Sequence, residues 1–178
     1  MTSAVSSNPT PKAGRNLPAA IGVGLLLVGL IIASLLVVHW GFTLLATVSM
    51  MVGVVELRDS LAKRAIHVPL IPCLLATAVM MPAAFFWGPT ALLSVLAASL
   101  LVLVLWRAAF GLAGAARDVR AGVFVLGYAP FLASFSSLML APSDGVRRIF
   151  VFVAVTVASD IGGYATGVLA GKHPMAPS

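Results

Sequence analysis

The chain has 178 residues, of which 61 % are hydrophobic and only 9 % are charged, and its mean hydropathy is +1.10. A soluble domain carries charge on roughly a quarter of its residues, so this composition excludes a soluble globular protein and indicates a chain that lipid surrounds. The high apolar content also excludes a disordered chain, and the single cysteine excludes a disulfide scaffold.

The net charge of +6 does not indicate a nucleic-acid partner. A nucleic-acid binder gathers its cations in one soluble patch, whereas here they are scattered between apolar runs. Such a distribution is typical of a multi-spanning membrane protein, in which basic residues report the topology and contact lipid headgroups.

Read from the N-terminus, the sequence predicts a short tail followed by membrane spans. Residues 1–16 are rich in Ser, Thr, Pro and Ala and predict a disordered cytoplasmic tail. The first apolar run is too long for the apolar region of a cleaved signal peptide, which favours a membrane span. Six spans are predicted, at residues 17–38, 42–55, 68–86, 90–106, 121–140 and 148–170.

Uncharged breaks and basic loops alternate between these spans. His39-Trp40-Gly41, Trp87-Gly88-Pro89 and the segment 141–145 are read as turns on one side of the membrane, and basic segments follow the second and fourth spans. With the N-terminus in the cytoplasm, nine basic residues lie inside and two outside, which satisfies the positive-inside rule. The inner set is Lys12, Arg15, Arg58, Lys63, Arg64, Arg107, Arg117, Arg120 and Lys172, and the outer set is Arg147 and Arg148. The predicted fold is therefore an all-α polytopic membrane protein with both termini in the cytoplasm, and its membrane domain spans residues 17–171.

Asp160 is the acidic residue that lies deep inside a predicted span. A carboxylate there costs about 2.5–3.5 kcal/mol on insertion scales, which makes it a candidate functional residue. On a helix Asp160, Tyr164, Gly167 and Gly171 share one face that ends at Lys172 and His173. We interpret Asp160 as a ligand for a divalent cation, with Lys172 placed to meet phosphate.

Two alternatives apply to this segment. Gly163, Gly167 and Gly171 also match a small-residue contact between helices, which needs no ligand. Gly171-Lys172 resembles the end of a nucleotide-binding P-loop, but Thr166 stands where that loop needs glycine, His173 where it needs Ser or Thr, and a helix precedes it. The P-loop is rejected, and the glycine contact stays open.

Glu56 and Asp59 form a second acidic pair at the end of the second span. Their i, i+3 spacing places both carboxylates on one helix face, with Arg58 between them. Local ion pairing at a helix end is the simpler interpretation of this pair.

The order of residues near the C-terminal end resembles the phosphatidate cytidylyltransferase (CDP-diacylglycerol synthase) family. The resemblance rests on Ser159-Asp160-Ile161-Gly162-Gly163-Tyr164, Gly167, Gly171-Lys172-His173 and Met175-Ala176-Pro177-Ser178, with Glu56 as a weaker match upstream. It implies a nucleotidyltransferase of phospholipid biosynthesis in a cell membrane of the bacterial inner or plasma type. Its partners would be CTP, phosphatidic acid and membrane lipids, its cofactor Mg²⁺, and a homodimer is compatible with it.

The resemblance also implies roles for individual residues. Asp160 and Lys172 would be catalytic, and Asp160 would also be a metal ligand. Tyr164, Gly167, Gly171, His173 and Ser178 would bind substrate, with Glu56 as a secondary site residue.

The family pattern extends further than this sequence. In the family, Ala-Pro-Ser continues into a Ser-Pro-Lys-Lys loop and a later signature with paired aspartates, whereas this sequence ends at Ser178. We therefore expect residues 172–178 to begin a cytoplasmic loop and the chain to be an N-terminal portion that is inactive alone. The alternatives are a small transporter or channel subunit that uses Asp160, and a non-catalytic membrane assembly protein.

Overall fold

The computed structural model describes residues 17–111 and 113–170, and the regular structure of these residues is entirely helical. One π-helical turn, Gly127–Phe131, joins the fourth helix to the fifth. The predicted tail at 1–16 and the predicted loop start at 172–178 lie outside the described residues. The helices are α1 (Leu17–Val37), α2 (His39–Ala62), α3 (Leu70–Ala109), α4 (Ala115–Leu126), α5 (Leu132–Leu140) and α6 (Gly145–Ala170).

Most of these helices are long and apolar enough to cross a membrane. Within the described residues four stretches meet this criterion, and α1 contributes a shorter apolar helix, Gly22–Val37. The four stretches are Trp40–Ala62, Leu70–Ala109, Ala115–Leu140 and Gly145–Gly167. The prediction of an all-α, multi-pass membrane protein is confirmed.

Helix α3 contains two spans rather than one. Its 40 residues would reach about 60 Å if straight, twice the thickness of a hydrocarbon core. The backbone turns at Gly88, where φ is 77° and ψ is −165°, a conformation open to glycine because it has no Cβ. Cys73 and Ala76 from the first half pack in one buried cluster with Leu103 from the second. The predicted turn at Trp87-Gly88-Pro89 is therefore confirmed.

Counting α3 as two segments, and α4, the π-helical turn and α5 as one, the described residues form six helical segments that run up and down. At one end, which we call the outer end, Leu35, Leu140 and Ile149 form a buried cluster against Phe42 and Phe85. The other end we call the basic end. There, hydrogen bonds from the 63–69 loop and from the end of α3 meet at the start of α4. The basic end carries Arg58, Lys63, Arg64, Arg107, Arg117 and Arg120, whereas Arg147 and Arg148 lie at the outer end. This segregation agrees with the charge asymmetry on which the predicted topology depends.

Some helix boundaries differ from the predicted spans. His39-Trp40-Gly41 is not a break, because it forms the first turn of α2, and Val38 alone connects α1 to α2 with φ −144° and ψ 112°. The fifth span begins at Ala115, six residues before the predicted start at residue 121. The prediction missed this extension because Arg117, Asp118 and Arg120 interrupt the apolar pattern, although a helix end in the headgroup region tolerates charge.

Pro130 explains the π-helical turn between α4 and α5. A proline lacks an N–H and its ring crowds the carbonyl one turn earlier, so a regular α-helix cannot continue unchanged through it. The wider turn at Gly127–Phe131 accommodates the ring, which is buried. The Ser134 hydroxyl donates a 2.6 Å hydrogen bond to the Pro130 carbonyl, so a neighbouring side chain stabilises the distorted backbone.

The tight turn between α5 and α6 leaves no room for a side chain at Gly145, so a substitution there should lower the stability of the fold. A Cβ built there would overlap the backbone carbonyl of Leu140, whereas a Cβ at Gly53 would meet nothing within 4 Å. We expect Gly145→Ala to destabilise the fold by about 1–3 kcal/mol through overpacking. Gly53→Ala is the matched control and is expected to be neutral or stabilising. Loss of helical circular dichroism on heating in detergent measures both, and equal unfolding temperatures would contradict this account of the turn.

The orientation of the bundle is tested by cysteine labelling. With Cys73 replaced by alanine, we expect an impermeant maleimide on intact cells to label Ser143→Cys at the outer end. Lys63→Cys at the basic end should react only after the membrane is permeabilised. The reverse pattern would overturn the cytoplasmic placement of the basic end, and labelling of both from one side would contradict the up-and-down fold.

Candidate functional site

Asp160 lies on the part of α6 that is nearer the basic end. It follows the first residue of the helix, Gly145, by 15 positions, which at 1.5 Å per residue is about 22 Å along the axis. The backbone is helical from Gly145 to Ala170, so Asp160, Tyr164 and Gly167 share one face as their spacing predicts. The Asp160 side chain is exposed.

The face that carries Asp160 is open in the described structure. Cβ atoms built at Gly162, Gly163 and Gly167 would meet nothing within 4 Å, and every residue from 150 to 163 is exposed. Helix α6 packs chiefly against α5. The small-residue contact that the glycines suggested has therefore no neighbouring helix within residues 17–111 and 113–170.

The other residues of the predicted site are not all described. Gly171, Lys172, His173 and Ser178 lie outside the described residues, as does the side chain of Tyr164, so their roles stay predictions. Among the described residues, Asp160 takes part in no ion pair.

Glu56 reaches a similar depth in α2. It follows the first residue of that helix by 17 positions, or about 25 Å, and α2 and α6 both begin at the outer end. Arg58 forms an ion pair of 2.8 Å with Asp59 rather than with Glu56. Local ion pairing therefore accounts for Asp59, whereas Glu56 is exposed and has no ion-pair partner in the described part of the chain.

The best-connected polar group at the basic end is Asp118, in the first turn of α4. Its Oδ2 accepts a 2.9 Å hydrogen bond from Arg107 Nε at the end of α3, and its Oδ1 accepts one of 3.3 Å from the His67 backbone N–H. The side chains are 8 % exposed for Asp118 and 16 % for Arg107. A carboxylate in the first turn of a helix is also stabilised by the helix dipole.

Arg107 ties down the loop between α3 and α4 as well. It donates hydrogen bonds to the carbonyls of Gly111 and Ala113, while Arg117 donates one to the carbonyl of Ala65 across the loop pair. These bonds hold three separate segments in one arrangement. A cavity of about 340 Å³ opens beside them, bounded by His67, Pro69, Trp106, Arg107, Phe110 and Asp118.

The sequence pattern did not single out Asp118. It lies between Arg117 and Arg120 at a span boundary, where arginines are expected to contact lipid headgroups and water can solvate an acidic residue. A usable signal was present, because an acid in the first turn after Gly114 marks a helix start. The distant partner, Arg107, could not be chosen from spacing alone.

Removing Asp118 should destabilise the protein much more than removing an exposed acid. Loss of one partner of a buried ion pair leaves an uncompensated charge and costs about 3–5 kcal/mol, and here Arg107 would be left. We expect Asp118→Ala to lower stability by that order and Asp59→Ala, whose ion pair with Arg58 is exposed, by about 1 kcal/mol or less. Chemical unfolding in mixed micelles compares the two variants, and equal losses would contradict a structural role for the Asp118 pair.

A model of the cytidylyltransferase family matches residues 18–178. The chain is 34 % identical, over an alignment of 188 positions, to a phosphatidate cytidylyltransferase of Mycobacterium leprae. It is 31 % identical over 182 residues to the protein of the same name in Mycobacterium bovis and in Mycobacterium tuberculosis.

These matches cover nearly all of the chain but only part of each relative. They include 97 % of the chain and 60 % of the M. leprae protein, 95 % and 60 % for M. bovis, and 95 % and 56 % for M. tuberculosis. The chain thus spans about 60 % of the length of the curated relatives it matches. No solved structure matches it significantly.

Proposed function

Because the chain belongs to the cytidylyltransferase family, we propose that it forms the membrane portion of a CTP:phosphatidate cytidylyltransferase, which makes CDP-diacylglycerol for phospholipid synthesis. One observation carries the proposal: similarity to phosphatidate cytidylyltransferases extends over 97 % of the chain. The transporter alternative explains Asp160 and the assembly-protein alternative explains the glycines of the same helix, whereas family membership accounts for nearly the whole chain.

The charge distribution supports the proposed substrates. CTP and phosphatidate are both anions, and among the described residues the basic end carries six basic residues against Glu56, Asp59 and Asp118. A surplus of positive charge raises the local concentration of anionic substrates and speeds their encounter. We place the reaction at this end, which the positive-inside rule predicts to face the cytoplasm. The membrane in this proposal is a cell membrane.

The proposed reaction exchanges one phosphoanhydride bond for another. An oxygen of the phosphatidate phosphate attacks the α-phosphorus of CTP, a new P–O bond forms, and the bond to the β-phosphate breaks to release pyrophosphate. Such a displacement requires positioning and neutralisation of charge rather than a covalent nucleophile. In our proposal Lys172 and His173 meet phosphate, Tyr164, Gly167, Gly171 and Ser178 contact substrate, and Glu56 is a secondary residue on α2.

Magnesium belongs to the proposal through the family resemblance. A site for Mg²⁺ requires near-octahedral oxygen ligands, and the described residues contain no group of three or more His, Cys, Asp or Glu that could hold a metal. Asp160 alone therefore does not amount to a metal site, and we derive no step through the ion. A homodimer likewise stays a prediction.

The decisive experiment measures CTP-dependent formation of CDP-diacylglycerol in phosphatidate-containing micelles, with and without Mg²⁺. The chain is assayed alone and co-expressed with the part of the M. leprae relative beyond the matched region. We expect activity only in the combined sample, which would also support the predicted inactivity of the chain alone.

Asp160→Asn tests the proposed site in the same assay. We expect the rate to fall about a hundredfold or more, the order seen when an electrostatic group of an active site is removed. Asp144→Asn, an exposed carboxylate at the outer end, is the matched control and should keep full activity. Retained activity in Asp160→Asn would remove that residue from the site, and no activity in any folded, membrane-inserted combination would count against the cytidylyltransferase proposal.

A further inference from the structure

A groove of about 510 Å³ lies at the outer end, away from the proposed active site. Its mouth is formed by Asp144, Arg147 and Arg148, where the α5–α6 turn enters α6. Its floor follows α6 along the apolar side chains of Val151 and Val155, which lie on one helix face. The groove therefore combines a charged mouth with an apolar floor.

The mouth of the groove carries a net positive charge, because it holds two arginines and one aspartate. Arg148 Nε and Asp144 Oδ2 form an ion pair of 2.9 Å, and the hydrogen bond from Arg148 holds the pKa of the Asp144 carboxyl below its ordinary value. Asp144 thus stays ionised and neutralises Arg148 in part. Arg147 is exposed and has no ion-pair partner in the described part of the chain, so the mouth can accept an anion.

Phe152 lies between this groove and a second apolar cavity. The ring lines both spaces, and the second cavity, of about 310 Å³, lies among α1, α2, α3 and α5. Its wall is largely apolar and includes Leu27, Phe42 and Met81, with the Ser49 hydroxyl among its few polar groups. An acyl chain that follows the groove would therefore meet the Phe152 side chain, and an apolar space inside the bundle lies on the other side of that side chain.

We propose that this groove is a specific site for an anionic phospholipid of the outer leaflet. The headgroup phosphate lies at Arg147 and Arg148, and an acyl chain lies on the α6 floor and enters the cavity at Phe152. The floor from Arg148 to Thr156 is about 12 Å long, which matches part of one acyl chain. Asp160 lies about 18 Å along α6 from Arg148, so this site is separate from the proposed active site.

Retention of bound lipid by the purified chain tests the proposal. Delipidated protein is offered equal amounts of phosphatidylglycerol and phosphatidylcholine with the same acyl chains, and bound lipid is counted by native mass spectrometry. We expect phosphatidylglycerol to be preferred. Arg147→Gln should reduce that preference about fivefold, the equivalent of about 1 kcal/mol for one cation near an anionic headgroup. Arg120→Gln at the basic end is the matched control, because Arg120 lies outside this groove and, among the described residues, bonds only to its own helix at Ala116.

Two further variants test the charge at the mouth of the groove and the role of Phe152. Asp144→Asn releases Arg148 and should raise the preference for the anionic lipid. Phe152→Trp narrows the passage, so it should weaken retention of long-chain phosphatidylglycerol and leave a short-chain form unaffected. Equal retention of both lipids, or an unchanged preference in the Arg147→Gln, Arg148→Gln double variant, would overturn the proposal. Displacement of the lipid by inorganic phosphate alone would show a simple anion site and would overturn it too.

Discussion

The absence of water from the hydrocarbon core is the constraint on which the whole structure depends. Backbone groups there must find partners within the protein, so the chain crosses the membrane as helices. Side-chain hydroxyls follow the same rule: Thr47 donates to the Thr43 carbonyl, and Thr77 donates to the Cys73 carbonyl. In the described part of the chain, charged groups other than Asp160 and Glu56 lie at the two ends, where water and headgroups solvate them.

The same constraint explains why the basic end needs a buried ion pair. The loops there cannot be anchored by apolar packing alone, since they lie where the bilayer gives way to water. Asp118 replaces that packing with directed bonds to Arg107 and to the His67 backbone. The charges of Asp118 and Arg107 compensate each other, so neither is left unpaired where the dielectric constant is low. One carboxylate thereby fixes the arrangement of three chain segments. The cavity beside the pair keeps its shape for the same reason.

Asp160 and Glu56 lie deeper than the other described charged residues, and the cost of burying the Asp160 carboxylate indicates what must surround it. A carboxylate on an open helix face within a bilayer requires a cation or a polar cavity, and the described residues place none against it. The two faces of α6 thus differ in chemistry: a polar stripe towards the basic end, and an apolar groove under two arginines towards the outer end.

Composition, apolar run length and charge asymmetry determined the membrane class, the number of spans and the Gly88 turn, because lipid imposes these features on the sequence itself. The order of Asp160, Tyr164 and Gly167 along one helix face followed from helical periodicity alone. Only the tertiary structure decided that Arg107 pairs with Asp118 and that Phe152 lies between two cavities. Contacts between distant segments depend on how helices pack, and local sequence pattern carries no record of which faces meet.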